Sequence, residues 1–139
     1  MNFWDSSAIT PLIVEEKDTP LRYQQTKEFG SMTVWYGTVL EIESALARKH
    51  REEKLSFELL RTARASLHAL ANSWDEVSPG MVVRDRAARL LYTHTLRAAD
   101  AFQLAAALVV SRETPRGHRF LTGDLRLRDA AEREGFSVD

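Results

Sequence analysis

The chain alternates between short apolar segments and longer segments with apolar residues at helical spacing. The short segments are rich in β-branched and aromatic residues, which is typical of buried strands. They predict strands at residues 2–4, 32–35, 74–77 and 119–122, with a candidate fifth at residues 136–138. The segments between them predict helices at residues 8–14, 21–29, 38–50, 55–72, 82–92, 100–110 and 125–134.

This alternation of strands and helices predicts an α/β fold. Parallel strands need a crossover connection, and helical crossovers cover the faces of the sheet. We therefore expect a central, mostly parallel β-sheet of four to five strands, flanked by helices on both faces. The chain of 139 residues is long enough for one such domain with a sizeable core, and we assign residues 1–139 to it.

One predicted helix is apolar on nearly all sides. Between Ala98 and Val110 the only polar residues are Asp100 and Gln103, and Asp100 alone ionises. Such a helix is expected to be buried, and a carboxylate at its start needs compensation. Either Asp100 caps the helix by accepting hydrogen bonds from its first turn, or it binds a cation.

Three further acids follow predicted strands. Asp5 comes directly after the first strand, and Asp124 follows the fourth. Glu41 lies in the first turn of the helix after the second strand. Because ligands of parallel α/β sheets gather at the carboxyl ends of the strands, we expect these acids and Asp100 to lie at one edge.

Each of these acids also has a local explanation. Asp5 fits a turn in which one of the two following serines caps the next helix. Glu41 has capping-box spacing with Thr38, and Asp124 fits a cap for the helix that follows it. Taken together the four carboxylates would repel one another in a cleft, and a divalent cation would remove that repulsion.

The composition narrows the identity of such a cation. The chain has no cysteine, which excludes disulfides, thiolate nucleophiles and Cys-bound zinc. Its four histidines include no i, i+4 pair on one predicted helix, so a zinc site is not expected. Oxygen-only ligands suit Mg²⁺ or Mn²⁺.

Charge and hydropathy limit the partners and the compartment. No apolar run approaches the roughly 20 residues that span a bilayer, and the first residues lack a basic signal region, so we expect a cytoplasmic protein without a membrane partner. The net charge of −1 gives no overall basic signature for nucleic acid. All cationic side chains beyond Lys54 are Arg, which suits phosphate contacts but equally fits a compositional bias of the genome.

Four segments in order give the chain a resemblance to a known family. They are residues 4–9 (WDSSAI), 38–42 (TVLEI), 96–101 (LRAADA) and 120–124 (FLTGD), with Gly135-Phe136 after the last. In this order the chain resembles the PIN-domain ribonucleases, and most closely the VapC-type toxins of bacterial toxin–antitoxin pairs. Glu43 does not match, because it lies on nearly the opposite helix face from Glu41.

The resemblance implies a PIN-like fold and a set of functional residues. Asp5, Glu41, Asp100 and Asp124 would bind Mg²⁺ or Mn²⁺ and support RNA hydrolysis. Thr122 matches a hydroxyl position that the family often keeps beside the last acid. The resemblance also implies a cognate antitoxin protein, an RNA substrate and a homodimer.

We therefore predict a metal-dependent endoribonuclease that acts as a toxin. Two other hypotheses stay open at this point. The first is a PIN-like RNA-binding or assembly module that does not cleave. The second is a phosphohydrolase with Asp5 as nucleophile; that chemistry usually needs a second acid two residues later, where this chain has Ser7.

Overall fold

Five short strands form one parallel sheet at the centre of the computed structural model, which describes residues 1–139. The strands are β1 (Asn2–Trp4), β2 (Thr33–Trp35), β3 (Asp75–Val77), β4 (Arg119–Leu121) and β5 (Ser137–Val138). Their order across the sheet is β3-β2-β1-β4-β5, and every neighbouring pair is parallel. The predicted α/β class is confirmed, with five strands and no antiparallel pair.

Seven helices connect these strands. They are α1 (Ser6–Ile13), α2 (Thr19–Phe29), α3 (Thr38–Arg51), α4 (Phe57–Ala71), α5 (Met81–Thr93), α6 (Ala98–Val110) and α7 (Leu125–Glu134). Every predicted helix is present, with its ends shifted by a few residues. For example, α2 begins two residues before the predicted start, because Pro20 is accommodated in the first turn, where no backbone N–H is needed.

Successive strand residues point to opposite faces of the sheet, and this divides the core in two. Phe3 and Phe120 lie in one cluster, with the buried faces of α5, α6 and α7. Trp4 and Leu121 lie in the other, with α1, α3 and α4. The helices therefore cover both faces, as the alternating pattern predicted.

The strand order creates a switch point beside β1. From β1 the chain winds to β2 and β3 on one side, and later to β4 and β5 on the other. The crevice at such a point, outside the carboxyl ends of the strands, is where open α/β sheets bind ligands. Asp5 follows β1 there, and Asp124 follows β4.

The helices also bear on membrane association. None of them combines the length and the apolar character that a membrane span requires.

Candidate functional site

Asp5 is the most deeply buried of the four acids. Only 3% of its surface is exposed. It is the N-cap of α1, and one carboxylate oxygen accepts a hydrogen bond from the Ser7 backbone N–H at 3.3 Å. The same oxygen accepts from the hydroxyl of Ser7 and from Thr122 Oγ1, the latter at 2.8 Å. The prediction that one of the following serines caps the helix is therefore wrong, because Asp5 is itself the cap.

Thr122 ties the end of β4 to this carboxylate. Besides donating to Asp5, its hydroxyl oxygen accepts from the Asp124 backbone N–H at 3.0 Å and lies 3.1 Å from Ser7 Oγ. Ser7 Oγ in turn accepts from the Gly123 backbone N–H at 2.8 Å. These hydroxyls fix the loop between β4 and α7 against the start of α1.

Glu41 is held by side chains from two other helices. Ser6 Oγ donates to Glu41 Oε1 at 3.0 Å, and Gln103 Nε2 donates to Oε2 at 2.9 Å. The predicted capping box with Thr38 does not form, because α3 begins one residue earlier in register, with Gly37 as N-cap and no side-chain cap bond. Thr38 Oγ1 instead accepts a second hydrogen bond from Gln103 Nε2, at 3.0 Å.

Asp100 is the third residue of α6 and half-buried. The N-cap is Arg97, whose side chain makes no capping bond, so the explanation of Asp100 as the N-cap is wrong. Asp124 behaves differently. It is the N-cap of α7, and its Oδ1 accepts from the Leu127 backbone N–H at 2.9 Å, as the local explanation predicted.

The fold brings the four acids to one edge of the sheet. Glu41, Asp100 and Asp124 line a single open cleft of about 920 Å³. Asp5 lies beneath it, and Ser6 Oγ bridges Asp5 Oδ1, at 3.4 Å, and Glu41 Oε1, at 3.0 Å.

These carboxylates form no salt bridge, although Arg97 and Arg126 line the same cleft. None of the ion pairs in the structure involves any of the four. Burial raises the pKa of Asp5, although its hydrogen bonds oppose the effect. Burial, and then repulsion from Asp124 and Asp5, raise the pKa of Asp100. Burial is also the main cause that raises the pKa of Glu41 to about 7. The acids are therefore crowded and desolvated, and Arg97 only partly offsets the raised pKa of Asp100.

The donor set fits a hard divalent cation, but the carboxylates do not converge on one point. No group of three or more His, Cys, Asp or Glu side chains is arranged to hold a metal ion. The carboxylates of Asp5 and Glu41 are instead occupied by hydroxyl and amide donors. Mg²⁺ needs only one or two protein carboxylates and keeps several waters, so an open, oxygen-lined cleft suits it without a closed cage.

Sequence reasoning missed three residues that support the acids. Ser6 and Gln103 hold Glu41, and Gln103 had a signal: it is the second polar residue of the buried helix, three positions after Asp100 and so near the same face. Arg22 had none, because α2 is polar along most of its length. Its guanidinium is buried, donating to Gln25 Oε1 at 2.9 Å and to the Thr122 carbonyl at 3.1 Å.

The comparisons with known proteins concern the fold. No protein-family profile matches the sequence, and a search of the curated proteins found no match. Among solved structures, the chain is similar to PAE2754 from Pyrobaculum aerophilum, with a TM-score of 0.70 and 19% identity over 99% of this chain and 87% of that one. It is also similar to FitAcB from Neisseria gonorrhoeae, with a TM-score of 0.67 and 16% identity over 99% of this chain and 96% of that one.

At these identities the likeness bears on architecture. Together with the five-stranded parallel sheet and its flanking helices, it defines the class of the fold as PIN-like, as the sequence resemblance implied.

The raised pKa of Glu41 gives a prediction for stability. The folded chain holds this proton more tightly than the unfolded chain, so the contribution to stability is full below pH 4.5 and is lost as pH rises through about 7. In EDTA, Glu41→Gln should be more stable than wild type by about 1–2 kcal/mol near pH 8, after allowance for partial exposure. The difference should shrink towards pH 4.5, the ordinary pKa of the side chain. Urea unfolding at both pH values measures it.

Glu43 provides the matched control. It lies two residues away on α3, but its pKa is lowered by hydrogen bonds from Arg64. Glu43→Gln should therefore give no stabilisation at the higher pH. Equal effects of the two substitutions would contradict the assignment of an uncompensated charge to Glu41.

Proposed function

We propose that this protein is a cytoplasmic, Mg²⁺- or Mn²⁺-dependent endoribonuclease, the VapC-type toxin of a type II toxin–antitoxin pair. The observation that carries the proposal is the edge with four carboxylates that form no salt bridge, at the switch point of a PIN-like sheet. The order of the motifs around Asp5, Glu41, Asp100 and Asp124 supports the same activity.

In this proposal, Asp100, Asp124 and Glu41 in the open cleft and Asp5 beneath it would hold the cation, one or two of them directly and the others through its waters. A divalent cation bound there would lower the pKa of a bound water, the nucleophile of hydrolysis, and would offset charge on the phosphate. Ser7 and Thr122 fix the rotamer of Asp5 through their hydroxyls, and Gln103 and Ser6 orient Glu41. Preorganisation of this kind lowers the reorganisation needed when substrate binds.

The geometry disfavours Asp5 as a nucleophile in a phosphohydrolase. Asp5 is 3% exposed as a residue, and the hydroxyls of Ser7 and Thr122 and the Ser7 backbone N–H all donate to one of its carboxylate oxygens. A nucleophilic oxygen has to reach phosphorus in line, which a buried carboxylate held by three donors on one oxygen does not readily do. The non-cleaving RNA-binding module is then the alternative that the activity test decides.

Catalysis gives the first test of the proposal. Asp5→Asn should remain folded, since Asn caps a helix about as well as Asp. Asp100→Asn should remain folded because Asp100 is half-buried and is not the N-cap of α6. Because each removes a charge from the proposed metal site, each should lose cleavage of a structured RNA by several orders of magnitude. Glu41→Gln should behave likewise. Gel-based cleavage assays in Mn²⁺ or Mg²⁺, with EDTA lanes, measure the loss.

Asp85→Asn is the control for this test, because Asp85 is an exposed acid on α5 outside the cleft. It should cleave like wild type. Full RNase activity in a folded Asp5→Asn variant would show that Asp5 is only a helix cap. Hydrolysis of a small phosphate ester but not of RNA by wild type would favour the phosphohydrolase.

Metal binding gives a second test. A ligand that binds only the folded state stabilises it by mass action, by about 2.7 kcal/mol at a hundred times its Kd. Mn²⁺ should therefore raise the melting temperature of wild type, and Asp100→Asn should remove most of that rise. The rise should be larger above pH 7 than below it, because the cation competes with the proton on Glu41. An identical shift in wild type and variant would locate the ion elsewhere.

The toxin role gives a third test. Several large apolar side chains are exposed, including Leu40 on α3, Val82 on α5 and Leu125 on α7. We propose that an antitoxin and a second copy of the chain cover such surface. The chain should co-purify with the product of an adjacent small reading frame, inhibit growth when expressed alone, and elute as a dimer in size-exclusion chromatography. Unimpaired growth and no small neighbouring frame would count against the toxin role.

A further inference from the structure

A second cavity adjoins the acidic cleft. It has a volume of about 530 Å³ and lies between the end of α5 and the outer face of α7. Thr95 and Arg126 line both the cleft and this cavity, so the two form one continuous surface channel. The channel begins beside Asp100 and Asp124 and ends beside Tyr92.

Tyr92 gives the far end of the channel an aromatic surface. It is the last tyrosine of the chain and is 92% exposed, at the end of α5. Covering a large exposed ring with a flat partner lowers the free energy, and nucleic acid bases are such partners.

Arginine side chains line both parts of the channel: Arg97 lies in the cleft with the acids, Arg126 lines cleft and cavity, and Arg133 lines the cavity with Tyr92. Arg97 and Arg126 are exposed and form no ion pair. Arg133 lies two turns after Arg126 on the same face of α7. Its ion pair is with exposed Asp129 at 3.2 Å, and water screens such a pair strongly. The cationic residues after Lys54, all of which are arginine, thus include several that lie beside the carboxylates.

The composition of the channel selects among partners. Most residues that line the cavity are polar or charged, so an apolar peptide segment would bury little surface there. Exposed guanidinium groups beside an exposed aromatic ring match a phosphate backbone with unstacked bases, which only a single strand presents.

We propose that this channel binds the nucleotides that flank the cleavage position on one side of a single-stranded RNA segment. Arg97 and Arg126 contact its phosphates, and Tyr92 stacks on a base. The inference rests on the proposed nuclease function for the position of the cut, but strand binding itself is measured separately from cleavage.

Equilibrium binding tests the subsite. The probe is a fluorescein-labelled single-stranded RNA of about eight nucleotides, within the usual span of such sites. The full chain carries Asp100→Asn so that the probe stays intact. Adding Tyr92→Ala should weaken binding about tenfold and leave the salt dependence unchanged, because stacking involves no counterion release. Adding Arg126→Gln should weaken binding and reduce the slope of log K against log salt by about 0.7.

Two exposed residues on α4 provide matched controls, because α4 packs on the other face of the sheet. Phe57→Ala removes an exposed aromatic ring, and Arg61→Gln removes an exposed cation. Neither should change the affinity for the probe or its salt dependence.

Cleavage kinetics give a further readout. In the cleavage-competent chain, Tyr92→Ala should raise KM for the long strand without changing kcat, and should not affect cleavage of a dinucleotide that spans only the cut bond.

The outcomes separate the subsite from the nuclease activity. If wild type cleaves RNA but Tyr92→Ala and Arg126→Gln bind the probe as tightly as the control variants do, the proposed subsite is overturned and the nuclease function stands. Tyr92-dependent binding without any cleavage overturns the nuclease and supports the subsite. Equal affinity for a double-stranded probe, with the same loss in Tyr92→Ala, overturns the stacking assignment.

Discussion

The buried carboxylate of Asp5 is the constraint on which the rest of the site depends. An ionised group so far from water is tolerated only with compensating hydrogen bonds. The hydroxyls of Ser7 and Thr122 supply them, and in doing so they join the start of α1 to the end of β4. Arg22 supports the same arrangement from behind by donating to the Thr122 carbonyl. One side chain thereby fixes the two strand ends between which the cleft opens.

The carboxylates at this edge lower the stability of the folded state when they ionise. Raised pKa values at Asp5, Glu41 and Asp100 mean that ionising these groups opposes folding. None of the three forms a salt bridge, so no direct ion pair offsets this cost. Arginines are present nearby, yet they line the channel beside the acids instead of pairing with them.

The hydrophobic pattern was sufficient to predict the fold class. Alternation along β1 and β4 sends Phe3 and Phe120 to one face and Trp4 and Leu121 to the other, which follows from strand geometry alone. The buried character of α6 was equally plain, because its apolar residues leave no solvent face. The positions of Asp5 and Asp124 after strands were also readable, because parallel strands end at a common edge.

Which groups each acid contacts was decided only by the tertiary structure. Glu41 and Thr38 have capping-box spacing, yet both bind Gln103, which is 62 and 65 residues away in the chain. Asp is a common N-cap residue, yet Asp100 is the third residue of its helix, while Asp124 is the N-cap of the helix that follows it. Local spacing restricts which hydrogen bonds a side chain can make near its own backbone. It carries no information about donors that packing brings from other elements, and those donors determine the charge and orientation of the site.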